Sequence, residues 1–198
     1  RLSSIDGGNK RNAIPRECSA LLFIPKKKFA EAGAIVKQAN VSLRAELASV
    51  DPDLAVILAE IPATGKEKVV PMNEQNILSR ALAALPHGVL KMSADIPGLV
   101  ETSTNVAVIS TTGKGIALST SQRSSVASEL DEAVLSVKSI LELGGAEVEL
   151  SDGYPGWKPN LNSPILKLSK ATYKSLFGKE PAIKAIHAGL ECGIIGEK

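Results

Sequence analysis

Asn12 is the first side chain whose type and position suit it to bind a ligand. It lies in the stretch GGNKRNAIPRE, residues 7–17, directly before Ala13-Ile14-Pro15. Its amide can pair with a carbonyl or carboxylate of a ligand, and the rigid Ile-Pro pair would hold it in position. Asparagines in turns also commonly hydrogen-bond to their own backbone. The residues alone therefore leave a ligand contact and a local turn contact as alternatives.

Arg123 is a second candidate, because it lies between a predicted strand and a predicted helix in STSQRSS, residues 119–125. A guanidinium at this point could clamp a carboxylate through two parallel hydrogen bonds, and the neighbouring hydroxyls could orient it. The alternative is a surface arginine near the start of a helix.

His187 and Glu191 form the third candidate set, because they are spaced four residues apart. On a helix, this spacing places the imidazole and the carboxylate on one face. Gly189 and Gly193 would let a ligand or another backbone approach closely. A purely structural role for this pair stays open. His87, in Pro-His-Gly, is typical of a turn residue.

The sequence contains no complete catalytic set. It lacks GxSxG, HExxH, GxxxxGK[ST] and GxGxxG. It has only 2 histidines, whereas a catalytic zinc usually has three protein ligands. A metal site formed by this chain alone is therefore not predicted.

Composition excludes several classes of partner. The net charge is +2, and the longest basic run is Lys26-Lys27-Lys28, so a nucleic-acid surface is not predicted. No apolar run approaches ~18 residues, which argues against a membrane span. The first residues lack the features of a secretory signal, and Cys18 and Cys192 lie far apart. These observations predict reduced thiols in a cytoplasmic protein.

Hydrophobic periodicity predicts an α+β fold, in which an open sheet carries helices on one face, as in split βαβ (ferredoxin-like) sandwiches. Residues 93–105, rich in Ser, Thr and Asn, are predicted as a loop. The predicted strands are 2–6, 19–24, 54–61, a hairpin of 105–111 with 116–122, and 146–150. The predicted helices are a long one after Pro25, 74–85 and 126–143.

A change of composition at residues 151–164 predicts a domain boundary. The segment SDGYPGWKPNLNSP holds three prolines, two glycines and the single Trp. We therefore expect one domain over 1–150 and part of another over 151–198. The second part has a predicted helix to Phe177 and a predicted strand at 182–186, too little to bury a core alone.

Five segments together resemble one family, the zinc-dependent aminoacyl-histidine dipeptidases, also called peptidase D or Xaa-His dipeptidases. They are GGNKRNAIPRE, LPHGVLKMSADIPGLVETSTN, TSQRSS, SDGYPGWKPN and KAIHAGLECGIIGEK. The resemblance implies a catalytic domain with two zinc ions and an inserted lid domain that covers the substrate and forms dimer contacts. Residues 1–150 would then be most of the lid, and 151–198 would return into the catalytic domain.

The resemblance also implies roles for individual residues. Asn12 matches a family asparagine that approaches the substrate, and Arg123 matches a lid arginine that holds the substrate carboxylate. His187 and Glu191 match a motif near the active-site cleft. The family's zinc ligands and general base match nothing in this sequence, so they are expected in catalytic-domain segments outside it. Cys18 stands where the family pattern predicts Ala.

The implied reaction is hydrolysis of carnosine-like Xaa-His dipeptides by water activated between two metal ions. This chain would position the substrate, would close over it, and would be inactive alone. A homodimer is expected as a partner, besides the dipeptide and the missing segments. The alternative is a non-catalytic binding or dimerisation module derived from the same lid.

Overall fold

The computed structural model describes residues 1–151, 153 and 160–183. A short 3₁₀ turn at Lys26–Lys28 precedes the first helix. The strands are β1 (Leu2–Gly7), β2 (Cys18–Leu22), β3 (Gly88–Met92), β4 (Val100–Thr112) and β5 (Gly115–Ser124). The helices are α1 (Phe29–Leu47), α2 (Met72–Ala84), α3 (Ala127–Leu143) and α4 (Pro164–Phe177).

The α+β fold class predicted from the sequence is confirmed, with an open antiparallel sheet and helices. All the predicted helices are present, and so are β1, β2 and the hairpin formed by β4 and β5. None of the described helices combines the length and apolar character needed to cross a bilayer. The strand predicted at 182–186 lies mostly outside the described residues.

Two predicted strands are wrong, and one strand was missed. Residues 54–61 and 146–150 form neither helix nor strand, and β3 was not predicted. At 54–61 the backbone groups of Val56 are bonded by a side chain instead of a neighbouring strand. The Val56 N–H donates to Asn40 Oδ1 at 2.8 Å, and Asn40 Nδ2 donates to the Val56 carbonyl at 2.7 Å. An asparagine on α1 thus takes the place of a strand partner.

The chain divides into two compact units, and the first comprises residues 1–5 and 19–76. In this unit β1 and β2 are neighbours. The Phe23 N–H donates to the Arg1 carbonyl at 2.7 Å. The backbone of Leu2 is bonded on both sides, because its N–H donates to Gln75 Oε1 and its carbonyl accepts from the Val70 N–H.

The second unit comprises residues 6–18 and 77–198, and β4 is its central strand. β5 pairs antiparallel with β4 along nearly its whole length, from Thr102 opposite Ser124 to Thr112 opposite Gly115. The other edge of β4 pairs first with β3 and then, at Ile109, with Gly7 of β1.

Helix α3 packs on one face of β4 and β5. Ala133 and Val137 of α3 are buried, as are Thr102 and Thr104 of β4. Side chains alternate between the two faces of a strand. Ser103 and Asn105 therefore belong to the opposite face of β4 from these two threonines.

Candidate functional site

The loop that carries Asn12, residues 8–17, connects β1 to β2 and is closed at its base by one backbone hydrogen bond. The Gly8 N–H donates to the Glu17 carbonyl at 3.1 Å, and the Ala13 N–H donates to the Lys10 carbonyl within the loop. Asn12 itself is exposed. The side chain predicted to contact a ligand is therefore accessible.

Gly8 allows this loop to lie directly against β4. Its φ is 66°, in the left-handed region that favours glycine. A Cβ added at this position would lie 1.9 Å from the Ala107 carbonyl oxygen. Ala107 lies at a register irregularity of β4, between Val106 and Val108. Irregularities of this kind bend a strand and re-aim its groups.

Asn105 connects the loop to β4 through its side chain. Its Nδ2 donates to the Ala13 carbonyl at 2.8 Å. Ala13 is the residue next to Asn12, so β4 holds the loop at the position adjacent to the candidate ligand contact.

Arg123 lies on β5 directly opposite Ser103 of β4, and Ser121 lies opposite Asn105. Alternation places these four side chains on one face of the sheet, opposite to that of Thr102 and Thr104. Arg123 is half-buried. The Asn105 side chain, which holds the loop of Asn12, therefore lies on the same face of the β4–β5 hairpin as Arg123.

His87 occupies the edge of β4 just beyond β3. Its Nδ1 accepts a hydrogen bond from the Val106 N–H at 3.1 Å. A neutral imidazole that accepts at Nδ1 carries its proton on Nε2. The histidine predicted as a turn residue instead lies in an irregular segment directly before β3 and satisfies a backbone donor of β4.

A charged cluster fixes β3, β4 and α3 to one another. Lys91 Nζ lies 3.3 Å from Glu101 Oε1 and also pairs with Glu129 of α3. The hydrogen bonds to Glu129 and then to Glu101 raise the pKa of Lys91 above its ordinary value. The Glu101 carboxylate is buried. A buried carboxylate is retained at low cost only when it is paired, as it is here.

Asn105 was missed by the sequence analysis. The polar stretch at 93–105 was predicted as a loop, and this is wrong from Val100 onward, because β4 begins there. The available signal was five successive polar residues, Glu101 to Asn105, directly before an apolar strand. Such a run is compatible with a strand that has polar groups on both faces.

His187 and Glu191 lie outside the described residues, as does Cys192. Within residues 1–151, 153 and 160–183, no three His, Cys, Asp or Glu side chains form a group that could hold a metal ion. The donors in this part of the chain therefore do not fit a zinc site. The described site offers an amide, a guanidinium and hydroxyls, which are groups for recognition.

Comparisons with known proteins show what the chain is similar to. A family model described as a peptidase dimerisation domain matches residues 1–51. The chain is 38% identical over 194 residues to the cytosol non-specific dipeptidase of Escherichia coli (strain K12), covering 98% of this chain. The crystal structure of aminoacylhistidine dipeptidase from Vibrio alginolyticus superposes on it with a TM-score of 0.92, at 36% identity and over 100% of this chain.

The chain spans 40% of the length of each of these two relatives. The fold matches that of a dipeptidase lid or dimerisation domain. Together these matches confirm the resemblance found in the sequence motifs: the chain is peptidase D-like and is similar, over nearly its whole length, to a part of these two dipeptidases.

Proposed function

We propose that this chain is the substrate-positioning part of a metal-dependent dipeptidase that hydrolyses Xaa-His dipeptides. Residues 1–150 would form a lid, and residues 151–198 would belong to the catalytic domain. The observation that supports the proposal is that Asn105, whose side chain holds the Asn12 loop, and Arg123 lie on one face of the paired strands β4 and β5.

A dipeptide offers one terminal carboxylate and one peptide group, and the two side chains suit these groups. Arg123 would clamp the carboxylate with paired, charge-assisted hydrogen bonds. Asn12 would bond to the peptide backbone with its amide. Fixing both ends of so small a substrate lowers the entropic part of the barrier, because attack on the scissile carbonyl then becomes effectively intramolecular. Closure of the lid would exclude water from the reacting centre.

The metal of the proposed reaction is zinc, two ions in the intact enzyme. Since the described donors do not fit such a site, we assign the ligands to segments outside this chain. The contribution derived for this chain is to bind and orient the substrate. His187 and Glu191 remain proposed contacts near the cleft, and the proposed location is cytoplasmic.

Arg123→Ala in the intact enzyme tests the proposal. Loss of a charge-assisted pair of hydrogen bonds to the substrate should cost ~2–3 kcal/mol, about a thirty- to hundredfold fall in kcat/KM. The fall should disappear for a substrate whose terminal carboxylate is replaced by a carboxamide, because the pair has nothing to clamp there. Arg80→Ala, which removes an exposed arginine from α2, is the matched control.

An unchanged kcat/KM in Arg123→Ala, or an equal loss on the carboxylate and carboxamide substrates, would remove Arg123 from the site. Arg123→Lys separates charge from geometry. It keeps the charge but not the two-pronged contact, so it should recover only part of the activity.

A second candidate function is supported by the match of residues 1–51 to a peptidase dimerisation domain. In this alternative the chain is a non-catalytic association module that forms a homodimer. Apolar side chains exposed in the first unit suit such a role, among them Ile35 and Val41 of α1 and Ile57. The intact protein would then associate and bind dipeptides but would not hydrolyse them.

A further inference from the structure

We propose that Asn105 is a positioning residue, which sets where Asn12 stands relative to Arg123. The inference rests on the proposed function, because it assigns a cause to the substrate geometry described there. Asn105 contacts the loop that carries Asn12, residues 8–17, and is not itself proposed to contact the substrate.

A hydrogen bond joins the loop of residues 8–17 to β4. Asn105 Nδ2 lies 2.8 Å from the Ala13 carbonyl oxygen. A carbonyl oxygen can only accept, so the amide nitrogen must be the end that faces the loop. The bond holds the backbone one residue away from Asn12, where a small displacement moves the Asn12 amide directly.

The register of the hairpin formed by β4 and β5 places Asn105 near Arg123. Asn105 lies opposite Ser121, and Ser103 lies opposite Arg123. Asn105 and Arg123 are therefore close neighbours on one face of two paired strands, a rigid frame. A single side chain thus ties an exposed loop to the frame that carries the arginine.

The other end of the Asn105 amide is a buried oxygen. Asn105 Oδ1 is buried and has no hydrogen-bond partner among the described residues. A buried oxygen without a partner destabilises a fold. Stability alone would therefore favour an apolar side chain at this position. A role in holding the loop in position would explain why residue 105 carries an amide side chain.

The test combines Asn105→Leu, a change of similar size, with Asn12→Ala in the intact enzyme. We expect Asn105→Leu to raise KM for an Xaa-His dipeptide about five- to tenfold, the effect of one hydrogen bond, with a smaller change in kcat. The unfolding temperature should not fall, because leucine also removes the unpaired oxygen. Adding Asn105→Leu to Asn12→Ala should raise KM no further, because the loop then has no amide to position.

Gln122→Leu is the matched control. It removes a side-chain amide that donates to Thr104 Oγ1 on the opposite face of the same hairpin. Its effect on KM should be small and should add to that of Asn12→Ala.

Hydrogen exchange of the loop distinguishes failure of this inference from failure of the proposed function. Asn105→Leu should speed amide exchange in residues 8–17, and Gln122→Leu should not. Unchanged exchange in that loop would overturn the positioning role, whatever the kinetics. A KM effect that parallels a lower unfolding temperature, or that adds fully to Asn12→Ala, would also overturn it. If Asn12→Ala or Arg123→Ala leaves the kinetics unchanged while loop exchange still responds to Asn105, the proposed function fails and the loop contact stands.

Discussion

At the scale of single residues, the position of the loop that carries Asn12, residues 8–17, depends on the glycine at position 8, which has no side chain. Gly8 lies so close to the Ala107 carbonyl that any Cβ would overlap it, and its φ of 66° is strained for other residues. The conformation and the close approach both require glycine. Gly8 therefore keeps the loop against β4, where Asn105 can reach it.

Gly8→Ala should lower the free energy of unfolding by about 1–3 kcal/mol, because strain and overlap both act at this position. It should also raise KM in the intact enzyme, because the loop must move away from β4. Thermal unfolding and steady-state kinetics measure the two effects.

Gly113→Ala is the control for this prediction. Gly113 lies in the turn between β4 and β5, where an added Cβ would meet no atom within 4 Å. Its unfolding free energy should change by no more than ~0.5 kcal/mol in the destabilising direction. Equal stability of the two variants would show that the loop does not depend on Gly8.

Residue type was enough to select Asn12 and Arg123 as candidates, because an amide before Ile-Pro and an arginine among hydroxyls are chemically unusual. The sequence could not relate Arg123 to the loop of Asn12, since that relation depends on the register of β4 and β5 and on the Asn105 side chain. The role of Asn105 could not be predicted from the sequence for the same reason. Its importance comes from a partner 92 positions away along the chain.

At the scale of elements, Lys91 joins β3 to β4 and α3 through Glu101 and Glu129. The cluster therefore fixes β4, the strand that carries Asn105, to β3 and α3. Lys91 has a raised pKa relative to its ordinary value of 10.5. The stabilisation is thus fully present below that ordinary value and is lost only as the pH rises through the higher value of the folded state.

Lys91→Met should destabilise the protein, because it leaves the buried Glu101 carboxylate without its cation. Chemical denaturation near neutral pH measures the loss, and Lys114→Met in the turn between β4 and β5 provides a matched lysine control. Combining Lys91→Met with Glu101→Gln should recover part of the stability, because the unpaired charge is gone. A single variant as stable as the control would contradict the structural role of the cluster.

Elements with a strong periodic pattern were predictable, and elements that depend on tertiary partners were not. The apolar face of α1 and the glycine turn between β4 and β5 are local signals. The segment 54–61 has the composition of a strand, but its backbone is bonded by the Asn40 side chain. Conversely, β3 begins at Gly88, the last residue of the helix-ending Pro86-His87-Gly88, and is a strand because β4 pairs with it.

At the scale of the whole molecule, the proposed enzyme has two tasks, substrate positioning and bond cleavage. The described residues contain the groups proposed here to recognise a dipeptide, and among them no cluster of His, Cys, Asp or Glu fits a metal ion. The chain corresponds to 40% of the length of its dipeptidase relatives. Substrate positioning is therefore assigned to this chain, and the chemistry of bond cleavage to residues that lie outside it.

The most direct test is to measure hydrolysis of β-alanyl-histidine, with zinc present, by the purified 198-residue chain and by the intact protein. Circular dichroism would first establish that the chain is folded. The account predicts turnover by the intact protein and none above the blank by the chain alone. Turnover by the chain alone, or a tightly bound metal ion coordinated only by its own side chains, would contradict the division of work.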